Sequence, residues 1–150
     1  VGKATTDTLT NKTLTSPTLT TPNIDSAQFA TVSGTAPIYG CRAWVSFDAT
    51  RDSTGATTAA NTNRFIRASG NVTSVLKNAT GDYTITFTTA LTDANYAVNL
   101  TARITATGIA PTVTNLLTST TPTASLFRIC TDRNGVGPVD VEYNFASVFR

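Results

Sequence analysis

Apolar residues follow two different rhythms along the chain. Leu9, Leu14, Leu19 and Ile24 recur at steps of five inside the Thr-rich stretch TDTLTNKTLTSPTLTTPNI. On a helix a step of five advances about 500°, so these side chains form no stripe. On a flat strand, positions five apart point to opposite faces. Pro17 and Pro22 exclude a continuous helix, and the surrounding Thr residues favour extended backbone. Each unit therefore needs a kink, for which Asn11-Lys12, Ser16-Pro17 and Thr21-Pro22 are placed. A ribbon of this kind has almost no interior of its own, whereas side-by-side copies of the chain supply one. Three chains pooling four such residues each gain about 20–30 kcal/mol before the entropy of ordering is set against it. Residues 1–37 are accordingly expected to be an extended shaft and neck at the end of an oligomeric fibre, with Phe29 joining the four aliphatic residues at the interface between chains.

Beyond a transition marked by Gly34 and Pro37 the rhythm changes to alternation, and residues 38–150 read as strands. Tyr39–Phe47 is the first, followed by a long polar loop, Asp48–Asn63, and a short strand over Arg64–Ala68. Ser69-Gly70-Asn71 reads as a turn. Val72–Lys77 and Tyr83–Thr89 flank Asn78-Ala79-Thr80-Gly81-Asp82, the clearest hairpin signal in the chain. On its second arm Tyr83, Ile85 and Phe87 alternate with Thr84, Thr86 and Thr88. A turn over Leu91–Asn95 precedes a strand over Ala97–Ala106, with Val98, Leu100, Ala102 and Ile104 on one face. A Thr/Pro-rich stretch, Thr107–Ala124, holds a short strand around Val113–Leu117. Ser125–Thr131, a turn at Asp132–Gly135 and a final arm over Val139–Phe149 complete the set. In that arm Val139, Val141, Tyr143 and Phe145 alternate with Asp140, Glu142 and Asn144. Seven or eight short strands with turns between them predict an all-β fold, an antiparallel β-sandwich head following the extended oligomeric shaft.

Composition reinforces this. Thr supplies roughly a fifth of the residues and good helix formers are scarce. The net charge is +2 and the basic residues are scattered, which leaves no electrostatic footprint for nucleic acid. No segment has the length and hydropathy of a membrane span or the pattern of a signal peptide. The start in mid-repeat without Met leads us to expect the C-terminal piece of a longer protein. Cys41 and Cys130 lie in strand-like apolar runs and are expected to be reduced and buried instead of joined in a disulfide.

Candidate chemistry is thin. There is no His, so the commonest general base and metal ligand is missing, and two isolated Cys do not make a zinc site. No glycine loop cradles a phosphate. The carboxylates Asp48, Asp52, Asp82, Asp93 and Asp132 fall mostly in turns, where Asp bonds its own backbone. Asp140 and Glu142 read as a solvated strand face. No catalytic residue, metal ligand or cofactor is expected, and the chain does not read as an enzyme. Trp44, between Ala43 and Val45, reads as a core or subunit-interface residue; Tyr96, after Asp93-Ala94-Asn95, is the better candidate for a partly exposed aromatic.

Two stretches together resemble a known family. DTLTNKTLTSPTLTTPNI is similar to the Thr-Leu repeat upstream of receptor-binding tips in bacteriophage tail fibres. YGCRAWVSFDAT, with IRASGNVTSVLKNATGDYTITFTTALTDANYAV, resembles a C-terminal head of phage tail-fibre proteins. The resemblance spans most of residues 5–104. It implies a parallel homotrimer joined to the upstream tail-fibre shaft on the virion side. Its head would be extracellular and bind a surface glycan or outer-membrane protein of the host, after assembly in the bacterial cytoplasm and without membrane insertion. Because loops carry function, receptor contacts are expected at Arg51, Asp52, Asn95, Tyr96, Arg133 and Asn134. Two further readings stand beside this one: a structural tip that registers and caps the trimer, and a non-catalytic fragment of a polysaccharide depolymerase.

Overall fold

A computed structural model describes residues 40–57, 61–103, 112–117 and 119–150, and every structural statement below concerns these. The shaft and interface residues Leu9, Leu14, Leu19, Ile24 and Phe29 lie outside them, as do Ile104 and Ala106.

The described residues are all-β. Nine strands follow in chain order: β1 Cys41–Asp52, β2 Thr62–Gly70, β3 Val72–Ala79, β4 Asp82–Phe87, β5 Ala97–Ala102, β6 Thr112–Leu116, β7 Leu126–Arg133, β8 Gly137–Pro138 and β9 Asn144–Phe149. They form one antiparallel path, β5-β9-β1-β2-β3-β4-β7-β6, with the short β8 beside β7. The two separate sheets of a sandwich are not what is found. Two halves, β5-β9-β1-β2 and β3-β4-β7-β6, face each other across the core but stay hydrogen-bonded through Thr62↔Lys77 and Asn63↔Leu76. The path curls until its ends, β5 and β6, line the two sides of one cleft, a barrel with an open seam. A local alternation pattern specifies inward residues; it does not say whether two halves share a strand pair, which is why strand count alone suggested a sandwich.

Inside, Val45, Phe47 and Val148 from one half meet Val75, Tyr83, Ile85, Phe127 and Ile129 from the other, all fully buried. Phe47 and Tyr83 pack edge to face with ring centroids 5.3 Å apart. The hairpin pattern holds: Tyr83, Ile85 and Phe87 point inward and their Thr neighbours outward. Its turn is Thr80-Gly81, and Gly81 is required there. Its φ is +70°, and a Cβ would sit 2.8 Å from the Val139 backbone nitrogen.

Asn71 makes the corner between the halves. Its φ of +57° turns the chain in one residue from β2 into β3. Its amide donates to the carbonyls of Arg42 (3.2 Å) and Thr89 (3.1 Å) and accepts from the Thr89 N–H (2.8 Å).

Three expectations are corrected. β1 does not stop at Phe47 but runs to Asp52, which shortens the polar loop to Ser53–Asn61. The extension is held where Asp48 accepts from the Thr50 N–H (3.0 Å) and hydroxyl (2.6 Å) and the Ala49 N–H donates to Val141 O (3.1 Å). The final arm keeps the expected phase at Val141, which is buried, but reverses it from Asn144 on. β9 starts only at Asn144, and pairing of Ala146 with Val45 and Val148 with Ala43 points Asn144, Ala146 and Val148 inward and Phe145 outward. Both cysteines are free, but Cys41 is exposed and Cys130 only half-buried. Burial pushes the Cys130 thiol up, helped by Asp132 and Asp82.

Candidate functional site

Two ends and one outer face of this barrel concentrate chemistry. Strand register assigns each residue to its place. At one end lie Cys41, where the chain enters the sheet, Asn71, the Phe87 end of β4 and the C-terminal Phe149. The Ser53–Asn61 connection, the Thr80-Gly81 turn and the Asn134–Val136 turn gather at the other.

The expected contact residues divide between these ends. Arg51, Asp52, Arg133 and Asn134 belong to the loop end; Asn95 and Tyr96 belong to the end where the chain enters. Arg51 and Asn134 are exposed. Asp52 is buried, and one oxygen accepts from the Thr54 N–H (2.8 Å), the Thr54 hydroxyl (2.6 Å) and the Ala56 N–H (3.0 Å), which shapes the loop. Arg133 is half-buried, its Nε without a hydrogen-bond partner among the described residues. Tyr96 packs against Phe87 and Phe127, and its hydroxyl donates to Thr123 O (3.0 Å) and Leu126 O (3.1 Å). Burial pushes that phenol up to about 12.

The outer face of β1, β2 and β9 was not legible as a site. Trp44 is 44 % exposed, so it is not a core residue. Its cross-strand neighbour in β2 is Gly70, and the indole lies where a Cβ at Gly70 would be. Phe145, 38 % exposed, stands beside Ser46 on the same face. Between the two aromatics runs a groove of about 370 Å3, lined also by Asn99, Thr101 and Ser147. No charged residue lines it.

Farther along the same face, Tyr143 stacks near Phe145 (22° between planes, centroids 6.4 Å apart). The guanidinium groups of Arg67 and Arg103 lie 4.2 and 4.9 Å from its ring centroid. Arg67 also donates to Asp48 (2.8 Å) and lies 3.4 Å from Glu142. These three border a polar cleft of about 220 Å3 with Arg51, Gly55 and Phe65. Arg67 thus lies against two carboxylates, the buried Asp48 and the partly exposed Glu142.

Asp140, expected on a solvated face, is instead part of an internal cluster. It accepts from the Gly81 N–H (2.8 Å), the Tyr83 hydroxyl and the Lys77 ammonium. Burial pushes its carboxyl up, but the Gly81, Lys77 and Tyr83 donors outweigh this and hold it below the usual range. The same burial, with the Asp140 carboxylate as acceptor, drives the Tyr83 phenol far above its ordinary value. Asp82 is held low by its Arg128 bond (2.7 Å). No group of three metal-ligating side chains occurs among the described residues. Comparison with protein-family models, curated proteins and solved structures finds no match to this chain.

Proposed function

We propose that this chain is the distal tip of a bacteriophage tail fibre, a homotrimer that attaches the virion to a glycan or outer-membrane protein on a bacterial surface. The repeat carries the reading. In the described sheet the chain enters at the Cys41 end; the Ser53–Asn61 connection and the Thr80-Gly81 and Asn134–Val136 turns lie at the opposite end, while the equally long Thr88–Tyr96 connection lies at the entry end. Connections far from the entry point are the ones placed to carry contacts. The upstream Leu9, Leu14, Leu19 and Ile24 repeat supports the stem, since its apolar residues gain burial only among copies. Sparse charge and abundant Thr, Asn and Ser at the surface suit wet, hydrogen-bonded recognition of sugars.

The test is adhesion of the labelled full chain to a panel of bacterial cells and purified surface glycans. Binding is expected, and Arg51→Ala with Asn134→Ala should weaken it about tenfold or more, while Asn95→Ala at the other end leaves it unchanged. A chain that forms trimers but adheres to nothing in the panel returns the structural capping tip as the better reading. Release of reducing ends from a bound glycan would instead show hydrolysis between subunits, the mark of a polysaccharide depolymerase.

A further inference from the structure

Resting on the adhesion reading, we infer that Phe65 and the two clefts it lines form the saccharide-binding surface of the loop end, and that they take neutral pyranose units. β2 buries Arg64 and leaves Phe65 outward, and its register with β1 sets Phe65 across from Asp48. The phenyl ring stays 40 % exposed. It walls the cleft of about 220 Å3 that holds Asp48, Arg51, Arg67 and Glu142. It also walls a second cleft of about 280 Å3, with Ser53, Asn63 and Thr73. Each is smaller than the ~300–1,000 Å3 of a drug-sized ligand pocket, which suits one sugar ring apiece. Gly55 in the first and Ser53 in the second set both clefts against the Ser53–Asn61 connection.

Chemistry names the ligand. A pyranose offers an apolar C–H face for an aromatic ring to lie against, and hydroxyls that both donate and accept. Glu142 is largely exposed and meets Arg67 only at 3.4 Å, so its carboxylate keeps capacity to accept from hydroxyls. Arg51 is more exposed still and stands 3.9 Å from Asp48, beyond hydrogen-bond reach, which leaves its donors for a ligand. In the second cleft Ser53, Asn63 and Thr73 supply hydroxyl and amide groups. Charge then separates neutral from acidic sugars. Two guanidinium groups and two carboxylates balance in the first cleft, with Arg67 held by Asp48 and Glu142 together. Arg64, the charged residue of the second, is buried and donates to Thr62 O and Ala49 O. Neither cleft presents net positive charge to an incoming uronate or phosphate, and the exposed Glu142 carboxylate repels one.

The experiment is saturation-transfer NMR on the full chain, with lactose, maltose and cellobiose as neutral probes and digalacturonate as the acidic one. It is repeated on Phe65→Ala, Glu142→Gln and Trp44→Ala, each checked for folding by its circular dichroism melt. At least one neutral disaccharide is expected to bind in the millimolar range, and digalacturonate about tenfold more weakly or worse. Phe65→Ala should weaken the neutral probe about tenfold or more and Glu142→Gln several-fold, while Trp44→Ala leaves it unchanged. Binding of none of the neutral probes would overturn the site, as would binding undiminished in Phe65→Ala. Loss confined to Trp44→Ala would overturn it too and move the sugar to the Trp44–Phe145 groove. A preference for digalacturonate would overturn the neutral class. Adhesion to cells tells these failures from failure of the reading beneath them: a chain that adheres but binds no saccharide remains a fibre tip with a protein receptor, and one that does neither loses both.

Discussion

Asp140 carries more of the stability of the loop end than its place in an alternating, polar-looking arm suggests. It ties β3 through Lys77, the hairpin turn through the Gly81 N–H and β4 through Tyr83. Its folded carboxyl titrates below the ordinary 3.8, so its contribution is fully present above that value and is lost as pH falls through the lowered folded one. Asp82 acts in the same direction through Arg128. Tyr83 bounds the other side: its raised phenol contributes stability that is complete below the ordinary 10.0 and declines above it, as the unfolded chain ionises. Urea unfolding should therefore show a plateau from about pH 5 to pH 9, with an acid and an alkaline limb. Asp140→Asn should cost about 3 kcal/mol at pH 7, because Lys77 is left mostly buried without its carboxylate. The same variant should have a shallower acid limb. An acid limb as steep as wild type would show that Asp140 is not the group responsible.

Strand β9 shows how a pattern that is right in kind can be wrong in phase. Its alternation is real, but the facing strand β1 and the irregular Val139–Tyr143 crossing decide which parity points inward. The buried polar position is satisfied locally: Asn144 accepts from the Thr131 hydroxyl (3.0 Å) and donates to Val141 O (3.1 Å). Asn144→Ala removes both of these bonds from the core, leaving Val141 O its Ala49 N–H and the Thr131 hydroxyl its Thr114 partner, and should cost about 1–2 kcal/mol in urea unfolding at fixed chain concentration. A neutral result would mean that the outward phase of Asn144 read from alternation is correct after all. Elsewhere the same pattern sufficed. Tyr83, Ile85 and Phe87 face inward as expected because β4 is central and both of its neighbours are antiparallel. The Asn78–Asp82 turn was legible because Gly81 is a local necessity. The Trp44–Phe145 groove was not, since its walls come from strands at opposite ends of the sequence and Trp44 lies outward over a glycine of a third strand. The seam between β5 and β6 is likewise a property of the whole path and of no single segment.

For the whole molecule, the proposed reading requires that adhesion depend more on the number of heads than on the strength of any one. The net charge is only +2, so long-range attraction to a charged cell surface adds little and is further screened at physiological salt. A polar, loop-built contact of a few residues gives weak individual binding, which becomes useful only when several sites act on one surface. Linked sites bind in sequence at millimolar effective concentration, and avidity exceeds single-site affinity by about 10²–10⁴-fold where the geometry allows simultaneous contact. The joint variant Leu9→Ser, Leu14→Ser and Leu19→Ser removes apolar residues that lie outside the described sheet and leaves every residue of the barrel in place. On the proposed reading its mass falls to that of one chain, while its β-sheet circular dichroism keeps its shape. The affinity of the labelled chain for cells falls by about 10²–10⁴-fold, yet single heads compete weakly with wild type for the same receptor. Undiminished cell binding by such a monomer would show that one head suffices, and the stem would then be a tether with no part in avidity. A variant that remains trimeric would place the main assembly contacts elsewhere.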